Sequence, residues 1–367
     1  MKRSTVFAAV LVLLMTSSCF AIGAGIGIRA MGMGGCGIAT ANDITAAYFN
    51  PAGLMYGPEN FELSTYAGGA TQGLTALVEA TSDPEKFIGD QFENDFSFGG
   101  TVAGGFGLSV QKVGISVIAD GIVNFRKPAN ALSFGFNGNL NAMIPLTLGS
   151  TFNTPGLPIA SMSVGVNLKS INLASVITDV TQTGVTGSGT TTTMAGSGFG
   201  FDIGAQAKVT PLLSLGAVVR NLSASTAVIK KTDSITVSSS GTVTTVAGPE
   251  QKTTYNLPPE VGVGAGLAIP LTGTLVAVDL ENYSTLDPDH PSKSESYTDT
   301  HIGIEQGILM NVVMLRLGYF TYSPNSDSFY TYGLGLNLGP CNIGIAAANS
   351  AKDSKNSASM AQVGVAF

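Results

Sequence analysis

From Phe61 to the last residue, apolar and polar side chains alternate in short stretches with a period of two. This is the pattern of β-strands whose two faces meet different surroundings. Met162, Val164, Val166 and Leu168 alternate with Ser161, Ser163, Gly165, Asn167 and Lys169. Phe201, Ile203, Ala205 and Ala207 alternate with Asp202, Gly204, Gln206 and Lys208. Val276, Val278 and Leu280 alternate with Asp279 and Glu281, and Val313, Leu315, Leu317 and Tyr319 with Arg316 and Gly318. Counted from Phe61, the pattern predicts roughly fourteen strands, within the range of outer-membrane barrels. The last one carries Ala361, Val363, Val365 and Phe367 on a single face.

The links alternate long and short. Long polar links are expected at 71–96, 174–197, 223–257, 284–297 and 350–357. Short turns are expected near Gln111-Lys112, Thr210-Pro211, Pro270-Leu271, Gly307-Ile308 and Gly339-Pro340. Short turns at one end and long loops at the other are the asymmetry of a transmembrane barrel. The stretch from Pro145 to Pro158 breaks the rule, being long and proline-bearing where a short turn is due. There, either a strand is miscounted or the wall kinks. In the first long link, Ser82-Asp83-Pro84-Glu85 is a helix start, with Phe87, Ile88 and Phe92 as an apolar stripe. The Thr/Ser/Gly tracts 181–193 and 234–246 read as solvated outer loops or as β-extensions above the membrane.

Composition sharpens this picture. The chain is 44% hydrophobic and only 11% charged, with 47 glycines, whereas a soluble domain carries about 25% charged residues. Much of the exterior must therefore meet something other than water. Lys2 and Arg3, the apolar run Val6–Met15 and the Cys19-Phe20-Ala21 site make residues 1–21 a secretory signal. Lipidation at Cys19 is the rival reading, although Met15-Thr16-Ser17-Ser18 is a poor approach to it. Beyond the signal, no apolar run reaches the ~18–20 residues of a spanning helix.

One segment fits neither strand nor helix span. Ile28–Gly57 holds only Arg29 and Asp43 as charges, is crowded with glycine in its first half, and ends a short helical reading at Asn50-Pro51-Ala52-Gly53. Asn42 or Asp43 would cap that helix. So compact and weakly polar a segment needs shelter, and the inside of a barrel supplies it. Glycines 32, 34, 35 and 37 would let its backbone approach the wall. A buried Asn50 would need wall backbone or a charged lumen residue to satisfy its amide.

Strand parity directs Asp202, Lys208, Arg220, Asp279, Glu281, His301, Glu305 and Arg316 inward. Unpaired buried charges are costly, so a lumen charge network is expected, for instance Glu305 with Arg316 across a short turn. A second reading has Arg220 or Arg316 holding a carbonyl of the sheltered segment or a substrate carboxylate. The net charge of −7 argues against nucleic acid, which requires a basic face. Cys36 and Cys341 alone remain after the signal, too few for a disulfide framework. They would pair only if the early segment folds back against a turn. His290 and His301 are the only histidines, no nucleophile motif surrounds them, and no catalytic residue is assigned. Asp287-Pro288-Asp289-His290-Pro291 lacks a second cluster of ligands, so no metal and no cofactor is expected.

The run Arg29-Ala30-Met31-Gly32-Met33-Gly34-Gly35, followed by Asp43, Ala46-Ala47-Tyr48 and Asn50-Pro51-Ala52-Gly53-Leu54, resembles the N-terminal hatch of FadL-type outer-membrane transporters. Gly200–Gly204, Val219–Leu222, Leu257-Pro258-Pro259, Ala277-Val278-Asp279, Ile302–Glu305 and Leu315–Tyr319 agree with it. These pieces are closer to the PorV-type and TraF-like branches than to the fatty-acid transporters. The resemblance covers nearly all of the chain beyond the signal. It implies an all-β fold, a transmembrane antiparallel β-barrel of about 14 strands with a short, partly helical N-terminal hatch in the lumen.

The domains it implies are 1–21 signal, 22–60 hatch and 61–367 barrel. The hatch or gate residues would be Arg29, Gly32, Gly34, Gly35, Asp43, Asn50, Pro51, Ala52 and Gly53, and Phe367 would be the assembly signal. The implied location is the outer membrane of a diderm bacterium, with membrane lipid and the barrel-assembly machinery as partners. The implied activity is passive uptake of hydrophobic small molecules, of fatty-acid or hydrocarbon type, through a lateral opening. In the PorV-like branch a barrel of this kind serves secretion instead, which makes binding of a protein partner the second expectation. The chain is shorter than the transporters, and their ligand-contacting outer loops find no match in it. Whether the hatch is a permanent plug or a moving gate stays open at this stage.

Overall fold

Alternation becomes wall. The computed structural model describes residues 26–72, 96–127, 133–153, 161–183, 186–238, 242–286, 294–352 and 357–367. The first half of the wall is β1 (Phe61–Gln72), β2 (Phe96–Val110), β3 (Val113–Lys127), β4 (Phe134–Phe152), β5 (Ser161–Thr183), β6 (Thr186–Lys208) and β7 (Leu213–Val237). Two short strands follow, β8 (Val243–Val246) and β9 (Glu250–Asn256). The second half is β10 (Glu260–Ile269), β11 (Thr274–Leu286), β12 (Ser294–Ile308), β13 (Val313–Tyr322), β14 (Asp327–Leu338), β15 (Cys341–Ser350) and β16 (Ser357–Ala366). Each wall strand pairs antiparallel with its neighbour, β10 pairs with β7, and β16 closes onto β1. The result is a closed barrel of fourteen wall strands, as the alternation predicts. The strands β8 and β9 sit on the outer half of β7.

The two faces divide as expected. On β5, Ser163, Asn167 and Lys169 are buried, whereas Leu168 is 53% exposed. Val263, Leu317, Ile345 and Val363 are about half exposed on the outer face, which gives the wall an apolar exterior suited to lipid. Phe367 lies on that outer face, its ring 5.9 Å from that of Phe61 where the first and last strands meet.

The structure corrects several expected links. The stretches 174–197 and 223–257 are not loops. Strands β5, β6 and β7 run for 23, 23 and 25 residues, far beyond the roughly 9–11 that cross a bilayer. Their outer halves, with β8 and β9, form a sheet that projects past the rest of the wall, the β-extension alternative. Threonine explains it, being a strong strand former, and Thr178–Thr191 and Thr192–Thr232 bond across the strands at 3.0 Å. Pro145 is not in a link either, but inside β4. The β3–β4 ladder loses its Ser116/Pro145 and Val117/Ile144 pairs there and resumes in the same register, because proline has no N–H to donate.

The turn at Gln111-Lys112, with φ of 50° and 70°, is the two-residue hairpin type that favours positive φ. The turn expected at Gly307-Ile308 falls two residues later, at Leu309–Val312. Cys36 is buried and Cys341 exposed, and both are free. The signal at 1–21, the helix start at Ser82 with its stripe, and the Asp287–Pro291 turn lie outside the described residues.

Candidate functional site

The lumen is filled at mid-height by residues 26–57. Helix α1 (Ile28–Gly32) and helix α2 (Ala46–Phe49) are followed by a 3-10 helix, Pro51–Tyr56. Glycine-rich sequence concealed α1. Asn50, read as a stop, does more: its extended backbone ends α2, and its Oδ1 accepts from Ala52 N at 3.1 Å to cap the next helix. Neither Asn42 nor Asp43 is the N-cap of α2, which is Thr45 without a side-chain capping bond; Asp43 shapes the turn just before it, its Oδ1 accepting from Thr45 N at 2.9 Å. Met31, Met33, Ile38, Phe49, Asn50 and Leu54 are 0–1% exposed.

What fastens this segment is a ring of wall side chains bonded to its backbone. Gln362 Oε1 accepts from Ile28 N at 3.0 Å, and Glu62 Oε1 accepts from Ile44 N at 3.1 Å. Asp279 Oδ2 accepts from Gly37 N at 2.7 Å and from Ile38 N at 2.8 Å. Thr331 Oγ1 accepts from Gly34 N at 2.9 Å and donates to Gly32 O at 3.1 Å. His301 Nδ1 lies 2.6 Å from Gly34 O; a carbonyl only accepts, so the imidazole carries its proton on Nδ1. Gln206 donates to Ala39 O, Asn167 to Ala47 O and Ser163 to Ala52 O, at 2.6, 2.7 and 2.9 Å. Asn50 returns the favour, its Nδ2 donating to Ile38 O at 2.8 Å and to the wall carbonyl of Ala205 at 3.0 Å. Glycines on both sides permit this approach. Gly34 has φ +68°, and a Cβ there would stand 2.6 Å from the carbonyls of Ile302 and Tyr319. A Cβ on wall Gly165 would collide with the backbone of Pro51 and Ala52.

Of the charges expected inward, Asp279 and His301 bond to the segment's backbone and form no ion pair among the described residues, whereas the others, except Lys208, pair. Glu305 sits between Arg29 (3.0 Å) and Arg316 (2.6 Å), and Glu305 and Arg316 are register partners on β12 and β13. Arg220 meets Glu281 at 2.8 Å and Glu260 at 3.4 Å, with its guanidinium over the Tyr48 ring, 4.9 Å from the centroid. Lys169 joins Asp202 at 2.7 Å. Lys208 departs from expectation: it is exposed near the short-turn end, its Nζ 4.3 Å above the Tyr56 ring rather than among these ion pairs. Low on the wall, Lys112 in the β2–β3 turn donates to Gly57 O at 2.6 Å, and burial pulls its pKa below that of a free lysine.

Two cavities flank the segment. Toward the short turns lies a polar vestibule of about 560 Å³ that reaches Arg29, Asn42, Glu62 and Asn337. On the other side is a half-open cavity of about 250 Å³, with Ala47 and Tyr48 as its floor and Ile118, Met143, Ile171, Leu173 and Leu257 among its apolar walls. Beside it the wall is interrupted. β10 stops pairing at Glu260/Arg220 and β9 starts at Asn256/Ser225, leaving 221–223 opposite Pro258-Pro259. Asn221 has φ 55°, and the β6–β7 register shifts between Phe201 and Ile203 at the same level. Among the described residues, no group of three or more His, Cys, Asp or Glu is placed to hold a metal ion.

No family model and no curated protein sequence matches the chain. Solved structures do. The toluene transporter TodX of Pseudomonas putida aligns over 94% of this chain and 99% of its own, with TM-score 0.65 at 12% identity. The toluene transporter TbuX of Ralstonia pickettii gives the same values. The monoaromatic hydrocarbon channel CymD covers 95% and 99%, with TM-score 0.65 at 14% identity. A FadL homologue from Pseudomonas aeruginosa covers 96% and 99%, with TM-score 0.56 at 9% identity. The chain has the fold of these barrels.

Sequence reasoning directed most of the charged residues inward but overlooked Glu62 and the uncharged side chains that hold the lumen segment. Ser163, Asn167 and Gln206 read only as the polar side of a strand; Glu62, Thr331 and Gln362 carried no signal. Their common mark is a polar side chain at an inward position beside a glycine-rich level of the wall.

Proposed function

We propose that the chain is an outer-membrane barrel of a diderm bacterium that passively takes up hydrophobic small molecules. In this reading residues 1–21 are removed, 22–60 form the hatch and 61–367 the barrel, with membrane lipid around the wall and Phe367 as the signal to the assembly machinery. The carrying observation is the 250 Å³ cavity set directly beside the interrupted wall. Asn221 lies eight residues into β7, about 20 Å above the short-turn end for a tilted strand. That height is within the apolar band of ~25 Å.

Such a molecule enters from the long-loop side, replaces water in the cavity, and leaves through the wall into lipid without displacing the hatch. Apolar burial supplies the affinity, about 25 cal/mol per Å², and the gradient supplies the direction. No bond is made or broken, so the protein acts as a channel and not as an enzyme. The cavity is smaller than the ~300–1,000 Å³ of drug-sized pockets, which favours compact hydrocarbons over extended acyl chains.

The test is uptake by liposomes bearing the purified barrel, with toluene and a long-chain fatty acid as probes. Toluene entry faster than into empty liposomes is expected. The variant P258V/P259V, which restores N–H donors at the interruption, should slow it. Entry no faster than the blank refutes the reading.

A second reading rests on the projecting sheet of β5 to β9, whose outer face exposes Val176, Val243 and Val246. That surface suits a protein partner, in keeping with the PorV-type resemblance. It predicts a partner lost on trimming 226–256 while toluene entry is absent from the start.

A further inference from the structure

We infer that the cavity beside the wall interruption selects a neutral, oxygen-bearing apolar molecule, such as an aryl ketone, over both pure hydrocarbons and carboxylates. The inference rests on the uptake reading above and names its ligand chemistry. Two lining side chains are buried with polar atoms left over. Arg220 is 3% exposed and spends Nη2 on Glu281, while its Nη1 has no acceptor among the described residues. Thr226 is 1% exposed, and its Oγ1 has no partner. Buried donors of this kind are costly unless something accepts from them. Both belong to the lining of a space whose other walls are divided between aliphatic side chains, such as Ile118, Met143 and Leu173, and polar ones, such as Asn141, Asn172 and Asp202.

Charge then excludes the obvious acceptor. Lys169 and Arg220 are the cations of the lining, against the carboxylates of Asp120, Asp202 and Glu260, with Glu281 behind Arg220. A carboxylate ligand would add to an existing surplus of negative charge. A cation would stand against Arg220 and could not accept from it. A carbonyl oxygen takes the free N–H without adding charge. Size agrees: an apolar cavity of roughly 150 Å³ holds benzene, so about 250 Å³ suits one ring with a short substituent.

The experiment is calorimetric titration of the full-length protein in detergent, blanked against empty micelles. The probes are four of nearly equal size: acetophenone, ethylbenzene, benzoate and benzylamine. Acetophenone is expected to bind about 10- to 100-fold more tightly than ethylbenzene, the worth of a hydrogen bond to a charged donor. Benzoate and benzylamine should bind more weakly than ethylbenzene. Thr226→Val, which keeps the shape and removes only the hydroxyl, should reduce acetophenone binding and leave ethylbenzene unchanged. Arg220→Gln should do so more strongly if it folds. Ethylbenzene or benzoate binding as tightly as the ketone overturns the inference and leaves the uptake reading standing. Binding of none of the four overturns both.

Discussion

Asn50→Ala tests whether the lumen segment is held as a unit separable from the wall. Asn50 is fully buried and makes its bonds in two directions, to Ile38 O and Ala52 N within the segment and to Ala205 O in the wall. Alanine leaves the Ile38 carbonyl and the Ala52 amide without these partners in a dry site, at about 1–3 kcal/mol for each orphaned group. The wall carbonyls lose less, because Ala205 and Ala217 face one another in the β6–β7 ladder. The sum is roughly 2–6 kcal/mol, nearly all of it charged to docking of the segment and not to the ladder of fourteen strands. Hydrogen exchange read by mass spectrometry over residues 36–57 should therefore speed up by about 30-fold or more, since every 1.4 kcal/mol is a factor of ten. The heat-dependent gel shift that reports barrel unfolding should move little. Asn50→Asp, which keeps the shape but points a carboxylate at carbonyl oxygens, should loosen the segment at least as far. Unchanged protection over 36–57 in a folded Asn50→Ala protein would refute the reasoning. So would loss of the barrel and the segment at the same temperature.

Three further changes probe other parts of the fit. Gly165→Val places methyl groups against the Pro51 and Ala52 backbone while suiting its own strand; single-channel recording should show conductance where the parent barrel is closed, and a silent, fully protected variant would contradict the packing. Glu305→Gln strips the shared carboxylate from buried Arg316 and half-buried Arg29; breaking such a pair costs about 3–5 kcal/mol when fully buried, less on the Arg29 side, and a midpoint in urea that does not fall would count against it. Cys341 should react with a maleimide at once and Cys36, which lies against Ala277 O, only on unfolding; an intrachain disulfide after mild oxidation would show the two to be neighbours after all.

The barrel was legible because its two faces differ: an apolar exterior and a packed, largely polar lumen force alternation onto the wall strands. Where that contrast disappears, legibility goes too. The outer ends of β5 to β7 carry polar residues on both faces, so Thr186–Thr193 and Thr232–Thr236 lose the alternation and read as loops, although their backbone pairs without a break. Pro145 misled in the opposite sense, since the ladder simply omits two pairs around it. The pairing of Glu305 with Arg316 was readable because one short turn fixes their register. Arg29, 276 residues away from Glu305 in sequence, offered no such geometry. The lumen segment was visible as a composition that needs shelter, but its fastening was not. Wall side chains bond its peptide groups, and a peptide group leaves no mark in a sequence.

That choice of partners bears on what the lumen segment does. Contacts from the wall arrive from β1, β5, β6, β11, β12, β14 and β16, around most of the circumference, and nearly all end on backbone N–H or C=O. Displacing the segment would strip many such groups at once, at about 1–3 kcal/mol for each one left dry; even with water entering to repay part of this, no small apolar molecule binding in the 250 Å³ cavity has the affinity to drive it. A ligand shifts an equilibrium only by its differential affinity for the two states, and a one-ring compound at micromolar Kd has about 8 kcal/mol in total. If the chain takes up such molecules as proposed, passage is therefore easier around the segment than through it. The interrupted wall at 221–223, on the same side of the segment as the cavity, needs no backbone bond broken to open. Under the uptake reading proposed above, the segment then acts as a floor: it closes the way to the vestibule, and Tyr48 on its upper surface holds Arg220 where a ligand would arrive.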